Sequence, residues 1–122
     1  IRAHGLRIIA EVLVTNTQLV TSEAAWADPE KRRKIEQIDL LLQGALRAES
    51  LVGLKMNVPS EKLPEILNEI PSLNSPTIAK LTDTSWHSVE IVVDQSLVRD
   101  LIPRLKAEGA EGIIEYALNK VI

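Results

Sequence analysis

From Leu51 onward the hydrophobic pattern alternates between a period of two and a period of about 3.6, and its order limits the possible folds more than any other feature. "LVGLKMNV" puts Val52, Leu54, Met56 and Val58 on one face of a strand and Gly53, Lys55 and Asn57 on the other. "PSEKLPEILNEI" reads as a helix with Ser60 as its cap and Leu63, Ile66, Leu67 and Ile70 as its apolar stripe; Pro64 is tolerated in the first turn. Two strand patterns follow, "PTIAKLT" and "WHSVEIVVD", divided by the polar turn "DTS". "QSLVRDLIPRLKAEG" predicts a second helix, with Leu97, Val98, Leu101, Ile102 and Leu105 in its stripe and Gly109 as its stop. Pro103 in its interior predicts a kink. "GIIEYAL" predicts a last strand.

The order is therefore strand, helix, strand, strand, helix, strand. Two right-handed crossovers around a central hairpin give an α+β, ferredoxin-like βαββαβ domain. Its four-stranded antiparallel sheet carries both helices on one face and leaves the other free for ligands, subunits or solvent. With no Phe and only Trp26, Trp86 and Tyr116 as aromatics, the core must be built from Leu, Ile and Val.

Upstream, residues 1–22 read as a helix, with a stripe through Leu6, Ile9 and Leu13, then a short strand in "TNTQLVTS". "WADPEKRRKIEQIDLLLQGALRAES" is the clearest helix. Asp28 is its N-cap, Pro29 its first position, and Ile35, Ile38, Leu42, Ala45 and Leu46 its core-facing stripe. Such a helix-strand-helix stub cannot bury its faces alone, so it is expected to be the end of a larger α/β domain and the chain a fragment. The boundary falls between residues 1–49 and 50–122.

The chemistry is sparse. A net charge of −3 gives no electrostatic basis for binding nucleic acid or an anionic membrane. The first strand also lacks the base-stacking aromatics that RNA-binding domains of this topology carry. No apolar run approaches the roughly 18 residues of a membrane span. The absence of cysteine excludes disulfides and thiolate metal sites and fits a reducing compartment. His4 and His87 lie far apart without metal-ligand spacing and are read as structural. Glycines 5, 44, 53, 109 and 112 form no phosphate loop. Ser22, Glu23 and "DPEKRRK" are read as a loop and a solvated helix face. No nucleophile, base and orienting group come together, so no catalytic residue and no metal ligand is assigned. The small polar positions at the strand ends, Asn57, "LNSPT" and Gly112, read from pattern alone as turn and strand-end residues.

"LVGLKMNVP", "LNSPTIAKL", "LIPRLKAEGAEGI" and the terminal "KVI" resemble the C-terminal regulatory domain of long-form ATP phosphoribosyltransferases, which is ACT-like in topology. "RAHGLRIIAEVL", "AAWADPEKRRKIE" and "LLLQGALRA" resemble the end of that family's second catalytic domain and the connecting helix. The resemblance implies a cytoplasmic transferase that condenses ATP with phosphoribosyl pyrophosphate, with magnesium, in the first step of histidine biosynthesis. The phosphoribosyl-binding loop would lie before "IRAHGLR", so neither catalysis nor magnesium binding is carried over to residues of this chain.

For the segment itself the resemblance implies feedback binding of histidine between regulatory domains of a hexamer. The implied contacts are Asn57, Leu73, Thr77 and Gly112. Asn57 stands where the family carries an acidic residue. Its neutral amide predicts weaker or altered feedback, because charge-assisted hydrogen bonds are roughly twice as strong as neutral ones. The alternative is an assembly module that has lost its effector.

Overall fold

The computed structural model describes residues 7–71 and 75–122. They fall into two compact units, divided between Glu36 and Gln37.

In the second unit, β1 (Leu51–Pro59), β2 (Thr77–Lys80), β3 (Trp86–Asp94) and β4 (Glu111–Ala117) form one antiparallel sheet in the order β2-β3-β1-β4. This is the expected ferredoxin-like arrangement. The alternation in β1 divides as read: Val52, Leu54, Met56 and Val58 are buried, whereas Lys55 and Asn57 are exposed. Across the central pair, Val89, Ile91 and Val93 of β3 join them in the core. Two helices, α3 (Leu63–Glu69) and α4 (Gln95–Ala107), contribute Ile66, Val98, Leu101 and Leu105 to the same cluster. Among the described residues this core contains no aromatic side chain.

The caps explain where α4 begins and ends. Asp94 Oδ1 accepts hydrogen bonds from the Ser96 amide (2.8 Å) and hydroxyl (2.5 Å). At the other end Ala110 N–H donates to Leu105 O and Gly109 N–H to Lys106 O, with Gly109 at φ 98°, a Schellman stop. The helix continues through Pro103. An ion pair between Arg104 and Glu69 links α4 to α3.

Ser60 does not cap α3. It begins a one-turn 3-10 segment, Ser60–Lys62, and its hydroxyl donates to Thr84 O at 3.1 Å and lies 2.9 Å from His87 Nδ1. Its amide donates to Ser85 O. The end of β1 is thereby tied to the β2–β3 turn, which local pattern could not reveal.

The upstream elements differ more. Residues 7–22 form neither a helix nor a strand, and Ile9 and Val12 are 88% and 95% exposed. Isolated helices shorter than about 12–15 residues are marginal in water unless their apolar face is packed. The first helix is instead α1 (Glu23–Ala27), capped by Ser22 Oγ, which accepts from Ala25 N–H; this segment is not the expected loop. Asp28 then caps α2 (Pro29–Ala48), accepting from Glu30 and Lys31 N–H, as expected. In the first unit Arg32 lies over the Trp26 ring, 4.6 Å from its centroid, and bonds Glu36.

The predicted stripe of α2 is not its contact face. Of its members Ile38, Leu42 and Leu46 are exposed and Ile35 and Ala45 half-buried, whereas the buried positions are Gly44 and Ala48. Val121 N–H donates to Gly44 O at 2.9 Å, and a Cβ on Gly44 would lie 2.9 Å from Ile122. Close approach of the C-terminal strap selects small residues there, and hydrophobic periodicity does not register small residues as a stripe.

Candidate functional site on the open sheet face

The face of the sheet opposite the helices is assembled by register. Gly53, Lys55 and Asn57 of β1 lie opposite Val92, Glu90 and Ser88 of β3. Thr77 of β2 lies opposite Glu90, on the same face. On the other flank, Tyr116 lies opposite Gly53 and Ile114 opposite Lys55. The Tyr116 ring occupies the space above Gly53, where a Cβ would come within 2.3 Å of it. The Tyr116 hydroxyl donates to Glu90 Oε1, and this bond holds the phenol above its ordinary pKa.

At the end of this face the β1–β4 ladder changes register. Two steps along β1, Lys55 to Asn57, span three along β4, Ile114 to Glu111. The additional residue makes a bulge, and Gly112 occupies it at φ 55°, a left-handed conformation in which an L side chain is strained. The bulge brings Glu111 opposite Asn57, and the Asn57 amide nitrogen lies 3.9 Å from where a Cβ of Gly112 would stand.

An open cavity of about 270 Å³ lies at this corner, lined by Asn57, Leu81, Asp83, Trp86 and Glu111. Asp83 and Trp86 arrive on the β2–β3 turn, which closes by Trp86 N–H donating to Asp83 O at 3.1 Å. Asp83 Oδ1 accepts from the Ser85 amide (2.9 Å) and hydroxyl (2.6 Å), and these bonds lower its pKa. The lining has two carboxylates and no Lys or Arg.

The four residues implied by resemblance are distributed as follows. Asn57 and Gly112 are brought together at the bulge. Thr77 shares their face, but β3 separates it from Asn57, and β3 and β1 together separate it from Gly112. With strands about 4.8 Å apart, two strand spacings amount to roughly 10 Å. Leu73 lies outside the described residues. Glu111, Asp83 and Trp86 were not singled out from the sequence. Only the β1–β4 register and the turn place them beside Asn57, although "AEGI" after a helix stop does signal a strand start carrying an acid.

The sequence that folds into this sheet has relatives. Residues 48–120 match the sequence model described as HisG, C-terminal domain. The chain belongs to this family. Over all 122 residues it is 74% identical to an ATP phosphoribosyltransferase of Nitratidesulfovibrio vulgaris (strain DSM 19637 / Miyazaki F). Identity is 66% to the protein of that name from Solidesulfovibrio magneticus and 52% to that from Solibacter usitatus. In each case the chain spans 42% of the relative's length.

Other candidates in this member of the HisG C-terminal family carry less. His87 is engaged by Ser60, and His4 lies outside the described residues. No cluster of three or more His, Cys, Asp or Glu side chains occurs among the described residues. No described helix is long and apolar enough to cross a membrane.

Proposed function

We propose that this chain is the regulatory segment of an ATP phosphoribosyltransferase and binds histidine as a feedback effector on its open sheet face. The parent enzyme joins ATP to phosphoribosyl pyrophosphate in the cytoplasm, using magnesium held by its catalytic part, and commits phosphoribosyl groups to histidine biosynthesis. Histidine bound between regulatory domains favours an inhibited hexamer, so the coupling is allosteric and reciprocal.

The observation that carries the reading is the division of the implied contacts. Asn57 and Gly112 meet at the bulge while Thr77 stands beyond β3. A ligand the size of one amino acid spans all of them only when two copies of the domain face each other, one offering the Asn57 corner and the other its Thr77 edge. That arrangement makes effector binding and subunit assembly one event.

The test is calorimetric titration of histidine into the full-length enzyme alongside activity measurements. Saturable binding with loss of activity is expected, and Thr77→Val should weaken binding while the melting temperature stays unchanged. No heat and unaltered activity with histidine would sink the effector reading and leave an assembly module, with family membership intact.

A further inference from the structure

The unexplained feature of the Asn57 corner is its charge. Asn57 supplies a neutral amide where the resemblance implies an acid, yet the cavity beside it is not neutral. Glu111 lines it from β4, opposite Asn57 in the register. Among the described residues Glu111 makes no hydrogen bond or ion pair through its side chain, whereas Asp83 is committed through one oxygen to Ser85. Trp86 also lines the cavity, and an indole is the best of the aromatic faces for a cation. Glu111, whose carboxylate has no partner among the described residues, thus shares with Asn57 and Trp86 a space that has no Lys or Arg in its lining.

We infer that Glu111 is the residue that recognises the cationic end of the effector, supplying from β4 the charge that β1 lacks at Asn57. The inference rests on the regulatory reading above and names its specificity determinant. The ligand class is a small zwitterion with an ammonium or imidazolium group. Its cation lies between Glu111 and Trp86, and the Asn57 amide bonds a neutral polar atom. The bulge at Gly112 has a mechanical role here, since without the extra residue the period-two alternation would turn Glu111 to the opposite face.

This changes the expectation for Asn57. A neutral residue there no longer implies weak feedback. In the native background Asn57→Asp sets two carboxylates opposite each other on neighbouring strands, which is unfavourable, so its gain in affinity should be small.

The experiment is isothermal titration of histidine into the full-length enzyme and its Glu111→Gln, Glu111→Asp and Asn57→Asp/Glu111→Gln variants. Imidazolepropionate, which lacks the amine, serves as a second probe. Loss of one charge-assisted hydrogen bond predicts about a ten- to hundredfold weaker Kd for Glu111→Gln. Glu111→Asp should retain more of the affinity, and the double variant should recover most of it by moving the charge across the register pair. If Glu111 meets the ammonium, imidazolepropionate should bind native enzyme and Glu111→Gln alike. If it meets the imidazolium, the probe should lose affinity with histidine. Unchanged histidine affinity in Glu111→Gln overturns the inference while the regulatory reading stands. A loss that Asn57→Asp does not recover also overturns it, because the defect is then not one of charge. Absence of histidine binding to the native enzyme removes the regulatory reading and the inference together.

Discussion

The two faces of this sheet are built from the same strands by the same alternation, yet they differ in kind. On the helix-covered face Leu54, Met56, Val58, Val89 and Val93 are fully buried, and their role is to exclude water. On the open face each position is chemically distinct: Gly53 admits the Tyr116 ring, Glu90 accepts from its hydroxyl, and Asn57 lies opposite Glu111 beside a cavity. The covered face tolerates exchange among apolar residues of similar volume. The open face depends on which residue stands where, and this is where a ligand or a second subunit can be recognised.

Four substitutions test that contrast. Leu54→Ala should cost about 2–5 kcal/mol by opening a cavity in the covered face. Denaturant unfolding would measure it, and under conditions where the variant stays folded its histidine affinity should be native. Gly53→Val acts from the other side. Its Cβ would overlap the Tyr116 ring, so a cost of roughly 1–3 kcal/mol is expected. A stability change near zero would show that the ring does not need that seat.

Gly112→Ala should cost about 1–2 kcal/mol because its backbone is left-handed. If the bulge aims Glu111, histidine affinity should fall by more than the loss of stability accounts for; equal effects would blur the distinction between the faces. The smallest effect is expected from Tyr116→Phe, under about 1 kcal/mol at neutral pH for an exposed hydrogen bond. Its pH dependence is diagnostic. The folded phenol has a raised pKa, so its contribution is complete below the unfolded value near 10 and is lost as pH rises through the folded value. The native protein should therefore lose stability in that alkaline window more steeply than Tyr116→Phe.

Much of the fold was legible because most elements after Leu51 carry a strong local period. Val52 to Val58 alternate, Leu97 to Leu105 recur at helical spacing, and Gly109 marks a stop that the Schellman bonds then make. The upstream region was misread where pattern exceeded packing. Residues 7–22 have helical and strand-like periodicity, but periodicity states only that a face could be buried, not that anything covers it. The α2 stripe failed for a related reason, since the actual contact is made by small residues against backbone at Gly44.

For the site, Asn57 and Gly112 were legible as strand-end residues, and resemblance gave them a role. Glu111 was not, because its neighbour in space is 54 residues away in sequence and a single bulge decides which face it joins.

The sequence by itself thus determined the order of elements from Leu51 onward, the composition of the core and the family. Periodicity, capping residues and helix stops act over a few residues and need no distant partner. Tertiary structure alone decided what stands beside Asn57, which side of α2 is used, and that Thr77 lies a strand away from the corner it was grouped with. Those outcomes depend on register, on one left-handed glycine, and on close approach of segments far apart in the chain, and no local pattern encodes them.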